Sequence, residues 1–83
     1  AEARERDKAL RRARKKAEEA EAAVGVAEER VKEVEAKIAE GDVSPKIFDE
    51  HAMANKNLEN AMSVWELAQM ELDEMEEKYG KQV

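Results

Sequence analysis

Residues 38–48 have the sequence Ile-Ala-Glu-Gly-Asp-Val-Ser-Pro-Lys-Ile-Phe, and this stretch divides the chain into two halves. Gly41 suits the left-handed backbone position just past the C-terminus of a helix. Ser44 is suited to capping a second helix, and Pro45 fits the first turn of that helix, where no N–H donor is needed. Because a connection of about four residues leaves two helices as close neighbours, the stretch predicts an antiparallel pair.

Apolar residues recur on both sides of this turn at alternating spacings of three and four residues. This is the heptad pattern in which two helices bury one stripe of side chains between them. We call these positions the seam. The first half of the seam is Leu10, Ala13, Ala17, Ala20, Val24, Ala27, Val31, Val34 and Ile38. The second half is Ile47, His51, Ala54, Leu58, Ala61, Trp65, Ala68, Leu72, Met75 and Tyr79.

The two halves of the seam match when the chain is folded about the turn, from Ile38 opposite Ile47 to Leu10 opposite Met75, without a slip. The sequence therefore predicts an all-α fold, an antiparallel two-helix coiled-coil hairpin. Residues 1–83 are expected to form this single hairpin, with a helix over about 2–40, a turn at 41–44 and a second helix over about 45–79.

Large seam residues mostly face small ones, which allows the two helices to approach closely. Trp65 is expected to fill space over Ala17 and Ala20. Gly25 lies on the outer surface of the first helix, where it should cost about 1 kcal/mol relative to alanine.

Composition excludes several classes of protein. The chain is 43% charged and 4% aromatic, so it has too few large apolar side chains to enclose a thick core. It contains no cysteine, which excludes disulfides and thiolate metal sites. No apolar run approaches the length of a membrane span, and the charged start is unlike a signal peptide, so we expect a cytoplasmic protein.

The sequence offers no catalytic constellation. No pair of carboxylates stands out as an acid and a base, and the glycines are too isolated for a phosphate-binding loop. His51 is the only histidine, and it occupies a seam position opposite Val34. We interpret it as a polar residue that helps to set the register, in preference to a metal ligand or a base. We therefore expect no catalytic residue, metal, cofactor or small-molecule substrate.

Charge is divided unevenly along the chain, whose net charge is −6. Residues 1–16 contain eight basic and three acidic side chains, or +5, which leaves −11 for residues 17–83. A basic stripe lies on the outer face of the first helix, opposite the seam. Its members are Arg4, Lys8, Arg11, Arg12 and Lys15.

Such a stripe is suited to following a phosphate backbone without reading its sequence, because no aromatic residues for base stacking are interleaved with it. The alternative is a solvated face whose charge is neutralised by acidic residues at the same level of the second helix. Those acids are Glu66, Glu71, Asp73, Glu74, Glu76 and Glu77. Within this alternative, Lys16 is expected to pair with Glu71.

A second candidate surface lies on the second helix, away from the strict seam. It consists of Met53, Met62, Val64, Leu67 and Met70. Methionine adapts to varied partners, so these residues are candidates for docking another helix or domain. The alternative is that they cover the edges of the narrow seam.

Two segments of the second helix resemble a known family. They are Lys-Ile-Phe-Asp-Glu-His at 46–51 and Leu-Glu-Asn-Ala-Met-Ser-Val-Trp-Glu-Leu-Ala-Gln-Met-Glu-Leu at 58–72. Together with the basic approach to the first helix, they resemble the C-terminal coiled-coil domain of ABC-F proteins, the duplicated ATP-binding-cassette ATPases that include the Uup-like group. The resemblance covers about residues 8–78. The chain departs from the family pattern at Val64, where an arginine often precedes the tryptophan.

The resemblance implies that this hairpin is an appendage of a soluble ATPase. ABC-F proteins act in translation on the ribosome, and Uup-like C-terminal hairpins are associated with nucleic-acid binding. ATP binding would then belong to the cassettes of the same parent chain. The rival hypotheses are a protein-interaction or spacer hairpin that docks through the methionine-rich surface, and an arm of another machine, such as a tRNA synthetase hairpin or a designed coil.

Overall fold

The computed structural model describes residues 2–79 and confirms the fold class, a helical hairpin with no strand in that range. Helix α1 spans Glu2–Ala39 and helix α2 spans Pro45–Tyr79. The hairpin is elongated, with extents of 60 × 17 × 14 Å. Helix α1 ends one residue before the expected position. Residues 1 and 80–83 of the predicted hairpin lie outside the described residues.

The end of α1 is a glycine-terminated cap. The N–H of Gly41 donates to the carbonyl of Ile38 at 3.0 Å, and the N–H of Asp42 donates to the carbonyl of Lys37 at 3.1 Å. These two bonds form a Schellman motif, which satisfies carbonyls that the helix leaves without partners. Gly41 has a φ of 109°, a backbone conformation that residues with a Cβ rarely adopt. The motif is what stops α1 and reverses the chain.

Asp42 organises the approach to α2. Its Oδ1 accepts hydrogen bonds from the Ser44 backbone N–H at 3.0 Å and from the Ser44 hydroxyl at 2.8 Å. Ser44 lies immediately before α2, and its carbonyl accepts from the Ile47 N–H at 3.1 Å. The Ser44 hydroxyl therefore donates back to the turn, a use that the sequence argument did not include. The carboxylate makes a local Asx turn, which an aspartate forms readily two residues before its donor.

The seam is the core of the molecule. Every seam residue is buried or half-buried, and Val34 is completely inaccessible. Towards the base, which we define as the end formed by the start of α1 and the end of α2, buried alanines form a continuous cluster with Leu72. Trp65 and Met75 pack against this cluster, which includes Ala17 and Ala20.

Ion pairs across one edge of the seam mark a first flank, which we call the Lys16 flank. Lys16 Nζ lies 3.1 Å from Glu71 Oε2, and Arg30 Nη2 lies 3.8 Å from Glu50 Oε2. Each of these four residues immediately precedes a seam position, which places all of them on the same side of the helix pair. The expected pair between Lys16 and Glu71 is confirmed.

The opposite edge of the seam, which we call the His51 flank, has its own pairs. Arg14 Nε lies 3.8 Å from Glu76 Oε1, and His51 Nε2 lies 3.4 Å from Glu35 Oε2. Arg14, Glu35 and Glu76 each follow a seam position by one residue. Exposed pairs of this kind contribute at most about 1 kcal/mol each, so they orient the helices more than they hold them together.

The two described glycines allow a matched test of backbone effects, because a Cβ added to either one meets no atom within 4 Å. Gly25 is helical, so Gly25→Ala should raise the free energy of unfolding by about 1 kcal/mol. Gly41 has a positive φ, so Gly41→Ala should lower it by about 1 kcal/mol or more. Urea denaturation followed by circular dichroism measures both changes, and effects of the same sign would contradict this account.

Asp42 should make the hairpin less stable in acid. The Ser44 backbone N–H, and then its hydroxyl, lower the pKa of Asp42 below the ordinary value of 3.8 by stabilising the carboxylate. The ionised group therefore stabilises the fold above the unfolded pKa, and this contribution is lost as pH falls through the lower folded pKa.

Asp42→Asn keeps the acceptor oxygen and does not titrate. Between about pH 4 and pH 2 the free energy of unfolding should fall more steeply for the wild type than for the variant. Urea titrations over this range measure the difference between the two profiles. Parallel profiles would show that Asp42 does not carry this pH dependence.

Candidate nucleic-acid interface

The basic stripe lies along the outer face of α1 near the base. Arg4, Lys8, Arg11 and Lys15 follow one another at spacings of four, three and four residues, so they form a nearly straight line, with Arg12 beside it. All five side chains are exposed. At 1.5 Å per residue the line is about 16 Å long. The basic stripe therefore presents several cations over a length that is comparable to a few successive phosphates of a nucleic-acid backbone.

Acidic residues of α2 neutralise the bases next to the seam and not those of the stripe. Arg14 and Lys16 are the partners of Glu76 and Glu71. Within residues 2–79 none of the five stripe residues has an ion pair or a side-chain hydrogen bond. The physical reason is direction, because stripe residues project from the face of α1 opposite α2, whereas Arg14 and Lys16 flank the seam. The stripe residues lack partners among the acids of α2.

The stripe has acidic neighbours on its own helix. Glu5 and Asp7 line a shallow depression of about 360 Å³ together with the stripe residues Arg4, Lys8 and Arg11. Both carboxylates reduce the positive potential at this end of the stripe.

One aromatic residue lies close to the base, a neighbour that the sequence argument did not consider. Tyr79 borders a depression of about 550 Å³ together with Glu2, Arg6 and Lys78. The Lys78 ammonium lies 5.3 Å from the centroid of the Tyr79 ring, at the distance of a cation–π contact. This face of the ring is therefore occupied, and Tyr79 lies on the seam side, away from the stripe. The ring is therefore not placed to stack with a base bound along the stripe.

The methionine-rich surface divides into separate faces. Met53, Val64, Leu67 and Met70 are between 54% and 66% exposed, so they do not cover the seam. Met62 follows a seam position and lies on the His51 flank, where it borders a groove of about 430 Å³. Val64 precedes a seam position and lies on the Lys16 flank.

Met62 and Val64 therefore lie on opposite flanks of the hairpin. The groove beside Met62 is also lined by Val24, Gly25 and Trp65, and by the carboxylate-bearing Glu21 and Glu28. The missing side chain of Gly25 helps to open it.

His51 links the two helices. Its Nε2 lies 3.4 Å from Glu35 Oε2 and 3.4 Å from Asn55 Nδ2. This nitrogen donates to Glu35 in the tautomer that carries its hydrogen and accepts from Asn55 in the other tautomer, so the two contacts do not form at the same time. Among residues 2–79 no group of three or more histidine, cysteine, aspartate or glutamate side chains is arranged to hold a metal ion.

Comparisons with known proteins add no relative. No family model, curated protein or solved structure matches this chain. Neither described helix is long and apolar enough to cross a membrane.

Proposed function

We propose that this hairpin contacts nucleic acid, or the RNA of a ribosome, through the basic stripe, as the C-terminal coiled-coil appendage of a soluble ABC-F ATPase. The observation that carries the proposal is a set of five exposed cations that have no ion-pair partner among residues 2–79. The neighbouring bases Arg14 and Lys16 are neutralised by α2. A surface of this kind favours a polyanion over a neutral protein partner.

Binding would be driven by the release of counterions from phosphates. If all five cations contact phosphates, log K should fall with log salt with a slope of about −4.5 for duplex DNA and about −3.5 for a single strand. The stripe contains no residue placed to read base edges, so affinity should depend little on sequence. Residues 17–65, which include the tip, contain twelve acidic and five basic side chains, or −7, and this charge would disfavour contact of a polyanion with the tip.

The link to a parent ATPase rests on the two α2 segments and on the hairpin form. In this proposal ATP is bound and hydrolysed by cassettes of the same parent chain, and the hairpin extends their reach in the cytoplasm. The described residues supply the charged arm and no group placed for chemistry on a substrate. Cassette motifs encoded directly upstream in the parent gene would support this origin, and a different upstream domain would overturn it.

The stripe can be tested by matched charge reversal. In one variant Lys8, Arg11 and Lys15 are changed to Glu, and in the control the exposed Lys32, Lys46 and Lys56 are changed to Glu. Both variants have the same net charge. Fluorescence anisotropy with labelled single-stranded and duplex DNA and RNA, over about 50–200 mM salt, measures affinity and its salt slope.

We expect micromolar binding by the wild type, a modest reduction in the control, and loss of measurable binding in the stripe variant. Changing all five stripe residues to Glu should give the same loss. Equal effects of the two triple variants would show that only overall charge matters. Absence of wild-type binding at low salt would overturn the proposal for this hairpin.

A second function is favoured by the exposed apolar side chains of α2. In this alternative the hairpin is a spacer that docks on a protein, such as the parent ATPase cassettes, through the methionine-rich surface. Association would be driven by apolar burial and would change little with salt. Because Met62 and Met70 lie on different faces, substitutions at these positions report on different docking modes.

Met62→Asp tests the groove on the His51 flank, and Met70→Asp tests the outer face of α2. If the cassettes dock on one face, the corresponding variant should weaken binding by about tenfold or more, because a charge would be buried at the contact. The other variant serves as its control. Titration calorimetry of the hairpin with the cassettes at low and high salt measures both effects. Association that weakens with salt, or that neither variant changes, would contradict this alternative.

A further inference from the structure

An uncharged patch occupies the middle of the Lys16 flank. Val26 on α1 is 72% exposed, and Val64 and Leu67 on α2 are 54% and 62% exposed. Ala23 lies one heptad after Lys16, and Val64 lies one heptad before Glu71. Since Lys16 and Glu71 are in contact, Ala23 and Val64 face each other across the same flank. The patch is therefore shared by both helices.

On α1 this patch is framed by charges in a self-complementary order. The residues of α1 that face this side are Lys16, Glu19, Ala23, Val26, Arg30 and Glu33. They are arranged symmetrically about a point between Val24 and Gly25. A two-fold axis through this point would place Lys16 opposite a second copy's Glu33, Glu19 opposite its Arg30, and Ala23 opposite its Val26. Each charge would meet its opposite around an apolar centre.

The same axis also suits α2. The contact between Lys16 and Glu71 shows which residues of α2 lie beside which residues of α1. With this alignment, the two-fold axis passes close to Met62 on α2. It would bring Asn60 opposite the partner's Val64 and Asn57 opposite the partner's Leu67. The α2 residues on this face from Asn57 to Leu67, namely Asn57, Asn60, Val64 and Leu67, are all uncharged. We name these ten residues of the two helices the central face.

We propose that the central face binds the central face of a second copy of this chain, with the helices antiparallel and the two tips at opposite ends. The product is a four-helix dimer with an isologous interface. The inference goes beyond the proposed function and does not depend on it. Arg4, Lys8, Arg11 and Lys15 point away from the central face and stay exposed in the dimer.

The alternative arrangement, with both tips at the same end, fits less well. It would place Glu19 against the partner's Leu67 and Glu33 against the partner's Met53, which removes carboxylates from water without giving them a partner. In the antiparallel arrangement Glu71 lies against the partner's Met53 but keeps Lys16 as its partner. Like charges meet only at the margins, where Arg12 approaches the partner's Lys37 and Glu50 approaches the partner's Glu74. The charge pattern therefore selects one orientation.

The interface is small, so the dimer should be weak. Residues 16–33 of α1 extend over about 26 Å. With a hairpin width of 17 Å, the central face measures about 440 Å² on each copy. This is at the low end of specific interfaces, where complexes are transient. We expect a dissociation constant in the range of tens to hundreds of micromolar.

Charge exchange tests the pairing directly. Glu19→Arg would set arginine against the partner's Arg30, and Arg30→Glu would set glutamate against the partner's Glu19. Each single variant should dimerise at least about tenfold more weakly than the wild type. An equimolar mixture of the two single variants should form a heterodimer, because both contacts then become attractive. The double variant Glu19→Arg with Arg30→Glu should regain self-association.

Sedimentation equilibrium over about 10–500 μM protein measures these constants, and circular dichroism checks that each variant keeps its helices. Leu67→Ser should weaken the dimer, whereas Val43→Ser, at an apolar site of the tip that is also exposed, should not. A wild type that stays monomeric throughout this range would overturn the proposal. So would a dimer that Glu19→Arg leaves unchanged, or single variants whose mixture does not associate.

Discussion

The short connection between Ala39 and Pro45 is the constraint on which the rest of the molecule depends. The Schellman bonds to Ile38 and Lys37 end α1 at one residue, and the Asp42–Ser44 bonds direct the chain into α2. Because this connection is short and held by hydrogen bonds, the pairing of seam residues next to the turn fixes the pairing of all later seam residues. A shift of one residue in the sequence of either helix would move seam residues to the surface and would bring the flanking charged residues between the helices.

The register in turn decides which charges act within the hairpin and which face outwards. Bases that flank the seam lie within reach of acids on α2, and Lys16 and Arg14 contact Glu71 and Glu76. Bases on the opposite face of α1 are out of reach of the acids of α2. The basic stripe is therefore a product of helix geometry, and it persists in a chain whose net charge is −6.

Different surfaces are separated along and around the hairpin. The stripe lies on the outer face at the base, the uncharged central face lies midway on the Lys16 flank, and the groove beside Trp65 and Gly25 lies on the His51 flank. A narrow two-helix scaffold can present these surfaces together because its seam occupies only one side of each helix. Polyanion contact and self-association are thus compatible in the same molecule.

The sequence by itself determined the helices, the turn, the seam and the register, because the heptad spacing, Gly41 and Pro45 are local signals that agree with one another. It also predicted the contact of Lys16 with Glu71, which follows from register alone. The tertiary structure decided how exposed groups are used. It assigned the Ser44 hydroxyl to Asp42, separated Met62 from Met70, and directed the stripe away from the acids of α2. These outcomes depend on the directions and distances of side chains across two helices, and a pattern along one chain does not contain them.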